Sequence, residues 1–347
     1  MALQFITRHF MKDLGIDLGT VNSLVYERAR GIVLREPSVV AIRKQSRAIL
    51  AIGEEARQMI GRTPVDIMAI RPLRVGVIAD FDLTREMLRY LIRRVCRGRV
   101  FIRPRVVVSV PAGTTEVERR AVIEATIGAG AREAFLIEEP VAAAIGAGLP
   151  VQEASGSMVI DIGGGTTDIA VISLGGVVTG QSVRVGGDAM DEAIIRIIRR
   201  ANNMMIGERT AEQIKIAIGS AFPLPEEVAM EVRGRDYVTG LPRTIRVESE
   251  EIREALSEPL TAIVNAVRYT IERTPPELVA DIMHKEIVMT GGGSLLRRVG
   301  DLIHNEIGMP VRVADDPLSS VAIGTGKTLE HMELMSRVLV GAKRAIS

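Results

Sequence analysis

The sequence predicts an α/β protein made of two related halves, each with a mixed sheet. Two observations predict it. Gly15-Ile16-Asp17-Leu18-Gly19-Thr20 and Val159-Ile160-Asp161-Ile162-Gly163-Gly164-Gly165-Thr166-Thr167-Asp168 share one plan: an apolar strand ending in Asp, a Gly/Thr turn, then a second apolar strand. Their aspartates, Asp17 and Asp161, stand 144 residues apart. Around each hairpin, strand and helix patterns interleave, which indicates α/β architecture, and the hairpin openings argue against a purely parallel sheet. At 347 residues the chain is long enough for two domains with sizeable cores.

Taken in order, strand patterns cover Asp13–Leu18, Ser23–Tyr26, Gly31–Leu34 and Ser38–Ile42, and a helix fits Gly53–Met59. Thr63–Pro72 carries two prolines and reads as loop, with a helix following over Leu83–Arg97. Arg105–Val110 is β-branched and almost continuously apolar, as a buried central strand is. Pro111 stops it; then come a helix at Glu116–Gly128, a strand at Ala134–Ile137 and an Ala-rich helix at Val141–Ala147. The turn-rich stretch from Gly148 to Gly156 marks a domain boundary, after which the order repeats. The hairpin Met158–Ser173 leads to a strand at Val177–Val183 and helices at Met190–Asn202 and Thr210–Ile218. Glu227–Val238 and Thr244–Val247 are strand-like, Ser249–Arg273 and Pro276–Met283 helical, and Glu286–Met289 a strand. Gly291-Gly292-Gly293 breaks the chain before a helix at Leu295–Ile307.

The composition, 47% hydrophobic and 25% charged, is that of a globular protein, and a net charge of +1 gives no bias toward nucleic acid. Eight arginines between Thr84 and Arg105 face a single acid, Glu86, so this stretch is either a solvated helix surface or a surface for an anionic partner. The one cysteine, Cys96, permits no disulfide within the chain and fits a reducing cytoplasm. No apolar run approaches the roughly 20 residues of a membrane span, and Met1–Lys12 lacks the plan of a secretory signal.

Chemistry concentrates in the glycine turns. Backbone N–H groups exposed by a Gly/Thr turn suit phosphate oxygens, and an Asp at the preceding strand end can hold a hydrated divalent cation beside them. Three consecutive glycines cost backbone entropy, a cost explained if something bulky approaches the backbone. Thr166 and Thr167 add hydroxyls and Asp168 can orient one of them. A third cluster, Thr290-Gly291-Gly292-Gly293-Ser294, lies between strand and helix and suits an adenosine pocket. Glu138 and Glu139 precede a helix, where they either complement its dipole or act on an attacking water. Gly324-Thr325-Gly326-Lys327-Thr328 ends like a P-loop, but the required first glycine falls on Val321. The four histidines are scattered and indicate no zinc site.

With the two hairpins and the third glycine cluster in that order, the chain resembles the actin-like ATPase superfamily, which also holds chaperone ATPase domains and sugar kinases. Longer strings narrow the resemblance to the MreB family of bacterial actins, which directs rod-shaped cell-wall growth. They are Gly31–Val40, Gly76–Asp80, Val117–Ala121, Ile137–Pro140, Gly186–Asp191 and Thr274–Leu278. Two positions depart from the family pattern: Val75 stands where Asp is usual, and Asp168 where Glu is common.

The resemblance implies two pseudo-symmetric lobes with ribonuclease H-like sheets around a central nucleotide cleft. The implied divisions are 13–153 with 323–347 for the first lobe and 154–322 for the second, with smaller inserts at about 41–73 and 190–253. It implies ATP, hydrolysed slowly in step with polymerisation, and Mg2+ held largely through water by Asp17 and Asp161. The phosphates would rest on Gly19, Thr20, Val21, Asn22 and Ser23 and on Gly163, Gly164, Gly165, Thr166 and Thr167. Glu139 would polarise the hydrolytic water, helped by Thr166. Glu212, Gln213, Ile214 and Lys215 would meet the adenosine, with Gly291, Gly292, Gly293 and Ser294 opposite. Family members form protofilaments that pair antiparallel on the membrane, so the implied partners are further copies of the chain, an anionic membrane, and elongation-complex proteins of the MreC, MreD and RodZ type. The implied location is cytoplasmic, peripheral to the inner face of the cell membrane.

The residues themselves agree with membrane attachment. Leu3, Ile6 and Phe10 recur at helical spacing, flanked by Phe5 and Met11, with Arg8 and Lys12 on the polar side, a short interfacial helix pattern over 1–12. Val100, Phe101 and Ile102 form a second apolar tip inside the basic stretch. Two other functions share the fold. A chaperone-type allosteric ATPase expects a peptide-binding domain after the module, where this chain has no linker or β-rich tail. A small-molecule kinase expects a separate polar substrate pocket, for which only Glu138 and Glu139 stand out.

Overall fold

The computed structural model describes residues 12–97, 103–330 and 339–344. Each half is organised by its hairpin. In the first, Asp13–Leu18 pairs antiparallel with Asn22–Glu27, which pairs antiparallel with Gly31–Pro37. On its other edge Asp13–Leu18 runs parallel to Arg105–Val110, which runs parallel to Glu133–Glu138, with Leu339–Arg344 closing the edge. The second half repeats this plan. Ser157–Ile162 pairs with Thr167–Ser173 and that strand with Gly176–Val183, while Ile287–Thr290 and Val311–Val313 extend the sheet in parallel on the far side. The expected duplication is therefore present in five strands of each sheet, the edge strand Leu339–Arg344 having no counterpart among the described residues, and both Asp-bearing strands are central. Leu14 and Ile16 are fully buried on one face of the first strand, and Val159 and Ile160 on both faces of the second, which is why Ser157–Ile162 reads as a near-continuous apolar run.

Each half carries a small three-stranded sheet: Val40–Arg43 with Ile49–Ile52 and Ile67–Ile70 in the first, and Met204–Met205 with Ala229–Asp236 and Pro242–Glu248 in the second. The stretch read as loop before Pro72 thus contains a strand. Its four residues, between Pro64 and Pro72, are too few for an alternating pattern to outweigh the prolines. The helix expected at Leu295–Ile307 is divided: a 3-10 turn covers Gly292–Leu295 and the α-helix begins only at Val299.

Each lobe has its own core, and a third apolar cluster joins them. It combines Val107 and Ile137 of the first sheet with Val159, Ala170 and Ile172 of the second, around helices Glu139–Gly146 and Ser320–Glu330. These helices cross almost backbone to backbone. A Cβ on Gly324 would lie 1.8 Å from the Ala142 carbonyl oxygen, and one on Gly146 at the same distance from that of Ser320. Gly326 is needed as well, because Tyr26 Cδ1 would be 2.0 Å from its Cβ. The P-loop-like string is thus the middle of a buried helix, and its glycines serve packing. Among the described residues no helix is long and apolar enough to cross a membrane. The tip residues Leu3, Phe5, Ile6, Phe10, Val100, Phe101 and Ile102 lie outside the described residues.

Candidate functional site

The two glycine turns face each other across the junction of the lobes. A Cβ on Gly164 would lie 2.2 Å from Val21 Cγ2, and one on Gly165 would lie 2.7 Å from Thr20 Oγ1 and 2.9 Å from Val75 Cα. Part of the bulk that keeps this turn free of side chains is therefore the opposite hairpin itself. Gly186 continues the cradle: its Cβ would meet the Gly163 carbonyl oxygen at 2.6 Å. Beyond it, the helix Gly187–Asn202 docks its first turn on the second hairpin, with Gly187 N–H donating to Gly163 O (3.0 Å) and Asp188 N–H to Gly164 O (2.8 Å).

The side chain of Thr20 accepts from Gly76 N–H at 3.0 Å. Val75 and Gly76 form the two-residue turn between Leu73–Arg74 and Val77–Ile78, with φ values of 51° and 73°. Such a turn favours Asn or Asp at its first position. A β-branched Val at positive φ is strained there, which gives a backbone reason for Asp at this departure from the family pattern.

Two equivalent hydroxyls turn away from the junction. Ser23 is fully buried and its Oγ lies 2.9 Å from Ser38 Oγ, which donates to Gly19 O at 2.6 Å. Thr167, also fully buried, donates to Val185 O at 2.7 Å. Both hydroxyls brace the backbone behind their turns. Asn22 is exposed at its turn, whereas Thr166 is buried against Gly76.

Four carboxylates converge beneath the turns. Asp17 and Asp161 end equivalent central strands, and each takes a hydroxyl hydrogen bond from the neighbouring parallel strand. Ser109 Oγ donates to Asp17 Oδ1 at 3.2 Å and Thr290 Oγ1 to Asp161 Oδ1 at 2.7 Å. Sequence reasoning missed these partners; their signal was a hydroxyl at the same register position beside each Asp. Burial pushes the Asp17 carboxyl up to about 7, with the negative field of Asp161 adding to it and Ser109 opposing. Burial likewise raises Asp161 to about 6, against the Thr290 hydrogen bond.

Asp168 is fully buried, cross-strand from Asp161, and accepts from Ala112 N–H of the first lobe at 2.7 Å. Its Oδ2 has no hydrogen-bond partner among the described residues, and burial raises the carboxyl to about 7. Glu139 is buried at the first turn of its helix, and desolvation, then Asp168, Asp17 and Asp161, raise its carboxyl well above the usual range. The adjacent acid is engaged elsewhere, since Glu138 pairs with Arg119 at 2.8 Å.

Mutual repulsion among buried acids is the electrostatic condition a divalent ion relieves. Among the described residues no three or more His, Cys, Asp or Glu side chains are placed to hold a metal directly. One or two carboxylates with a shell of water suffice for Mg2+, so the donor set fits a hydrated ion.

The adenosine-side residues divide. Glu212 and Lys215 share one face of the helix Glu208–Ile218, where Lys215 Nζ donates to Gly187 O at 2.9 Å and pairs with Asp191 at 2.9 Å. Ile214 is fully buried in the second lobe's core, so its side chain is closed to a ligand. Gln213 faces outward beside Met230 and Arg233 of the small sheet. Period 3.6 separates these two from the cleft face. Gly291, at φ 78°, packs on the Ile162 carbonyl and beside the Asp161 carboxylate, and Gly293 packs on Ile162. Gly292 is exposed, while the Ser294 hydroxyl folds back onto Gly291 O at 2.7 Å. A surface hollow of about 330 Å³ lined by Glu86, Arg89, Tyr90 and Arg93 lies elsewhere on the first lobe. It lacks the convergent buried acids, so the chemistry points to the cleft.

Comparison with known proteins follows the same line. The model of the family described as MreB/Mbl protein matches residues 11–337. The chain is 57% identical over 331 residues to the cell shape-determining protein MreB of Escherichia coli (strain K12), covering 94% of this chain and 95% of that protein. It is 49% identical over 328 residues to the cell shape-determining protein Mbl of Bacillus subtilis (strain 168), covering 94% and 98%. Among solved structures, MreB5 of Spiroplasma citri bound to ADP superposes with a TM-score of 0.89 at 36% identity over 93% of this chain and 97% of that one. The MamK double helical filament gives 0.79 at 22% identity over 92% and 99%, a likeness of fold.

Proposed function

The chain belongs to the MreB/Mbl family and has its actin-like, two-lobed fold, and from that premise we propose that it is an ATP-dependent, membrane-associated filament protein that maintains rod cell shape by organising wall synthesis. The observation that carries this reading is the junction itself: two glycine turns, one from each lobe, in contact above the buried carboxylates of Glu139, Asp161 and Asp168 and the half-buried one of Asp17. Relatives named for cell-shape determination and a likeness to MreB5 bound to ADP and to AMPPNP support it.

In this reading the N–H groups of 19–22 and 163–166 take the phosphate oxygens. Mg2+, when bound, neutralises phosphate charge; Asp17 and Asp161 hold its water shell, each oriented by its hydroxyl partner. Glu139 accepts a proton from the attacking water, for which a raised carboxyl is suited, and Thr166 positions that water. Glu138, tied to Arg119, keeps the helix start in place. Glu212 and Lys215 border the adenosine, with 291–293 opposite. Residues 13–153 with 323–347 make one lobe and 154–322 the other. The segments 1–12 and 100–102 attach copies to an anionic membrane; each nearby Arg adds about 1 kcal/mol there, and polymerisation multiplies such weak anchors by avidity. The chain acts at the inner face of the cell membrane with partners of the MreC, MreD and RodZ type.

Sedimentation and flotation with anionic vesicles test the reading. Polymers are expected to pellet with ATP and Mg2+ and to float with vesicles. Deleting 1–12 together with Phe101→Ser is expected to abolish flotation while pelleting remains. A chain that stays monomeric with ATP and phosphorylates a small molecule instead is a kinase.

A further inference from the structure

We propose that Arg71 is a strap across the mouth of the cleft that slows nucleotide release. This rests on the reading that nucleotide occupies the cleft. Arg71 follows directly on the strand Ile67–Ile70 of the first lobe's small sheet. Its Nη1 donates to Asp188 Oδ1 at 2.8 Å, and its Nη2 lies 3.7 Å from Glu208 Oε2. Asp188 is in the first turn of the helix docked on the second glycine turn, and Glu208 begins the helix that carries Glu212 and Lys215. One guanidinium therefore ties the first lobe to two separate helices of the second, and Glu212 adds a third negative field.

The strap has a firm base. The carbonyl of the next residue, Pro72, accepts from Ala79 N–H (2.9 Å), Asp80 N–H (3.1 Å) and Thr84 Oγ1 (3.3 Å) at the start of helix Phe81–Val95. Arg71 thus stands on a short link that is hydrogen-bonded to the helix start, and its partners stand on two helices, so the side-chain contacts can break without unfolding either lobe. A planar fork suits two acids at once in a way that an ammonium does not. Another polar link across the lobes, Ala112 to Asp168, lies among the buried carboxylates at the floor and does not hold the mouth. Arg71 and Asp188 remain 29% and 30% exposed and Glu208 66%. The strap is therefore weak and screened by salt, as a reversible closure must be.

Release of methylanthraniloyl-ADP from the full chain, chased with excess ATP in Mg2+ buffer, tests the strap. Arg71→Ala is expected to release the analogue about 3- to 10-fold faster, and Glu208→Gln about 2-fold faster. Raising salt from about 50 to about 500 mM is expected to quicken wild-type release and leave Arg71→Ala nearly unchanged. Combining Arg71→Ala with Glu208→Gln is expected to release the analogue no faster than Arg71→Ala alone, which loss of two independent contacts would not allow. If wild type binds the analogue and both single variants release it at the wild-type rate, the strap is refuted and the nucleotide reading stands. If wild type takes up no analogue, both fall together.

Discussion

Replacing Gly164 by Ala probes the contact between the two turns directly. The added methyl would lie 2.2 Å from Val21 Cγ2 and 3.1 Å from Val21 Cβ. Carbon atoms rest at about 3.5–4.0 Å, so one hairpin has to retreat by more than 1 Å. Overpacking of this size costs about 1–3 kcal/mol. If both turns must close on the same phosphates, that cost falls on binding, and ATP affinity drops about 5- to 150-fold. Val21→Ala in the same chain removes the closer clash and leaves the 3.1 Å approach, so it is expected to restore affinity in part. Calorimetric titration of AMPPNP into wild type, the two single variants and the double variant measures this coupling. Wild-type affinity in Gly164→Ala, or no recovery in the double variant, refutes the closure.

Other perturbations address the acids and the turn. Glu139→Gln is expected to keep AMPPNP binding and slow hydrolysis by about 10²- to 10⁴-fold; a normal rate of phosphate release would leave Glu139 only its place at the helix start. The raised cleft carboxyls give a pH dependence of defined sign. In the nucleotide-free fold, Asp17 and Asp168 near 7 and Asp161 near 6 hold protons that the unfolded chain has released above about pH 4. Stability from these groups therefore declines as pH rises from about 4 to about 7. Thermal melting should show Asp17→Asn losing part of that slope, and an unchanged slope would count against the burial of this acid. Val75→Asn relieves a β-branched residue at φ 51° in a turn that favours Asn, and is expected to stabilise the fold by about 1 kcal/mol, read as a higher urea midpoint at unchanged slope. A lower midpoint would mean that Val75 contributes more by packing on Gly165 than it loses in backbone strain.

The repeated hairpins were legible because they carry a chemical signature on an apolar pattern: Asp17 follows Leu14 and Ile16, and Asp161 follows Met158, Val159 and Ile160, all fully buried. Glu139 was half legible. Two adjacent acids at a helix start look alike in sequence, and only the fold brings Arg119 to Glu138. Ser23 and Thr167 are donor residues beside a glycine turn, yet β alternation points both behind the turn, toward Ser38 and Val185. Ile214 and Gln213 lie in the right string on the wrong helix faces. The strand Ile67–Ile70 was hidden because tertiary pairing with Val40–Arg43, rather than local propensity, makes it a strand. The hydroxyls of Ser109 and Thr290 reach their aspartates only across parallel pairing, where sequence separation conceals adjacency.

The most direct measurement is a crystal structure with AMPPNP and Mn2+, using the anomalous signal to place the ion. The expected result has one triphosphate hydrogen-bonded to N–H groups of both 19–22 and 163–166, with the ion within one water of Asp17 and Asp161. A nucleotide bound to one turn alone, or away from both, contradicts the account.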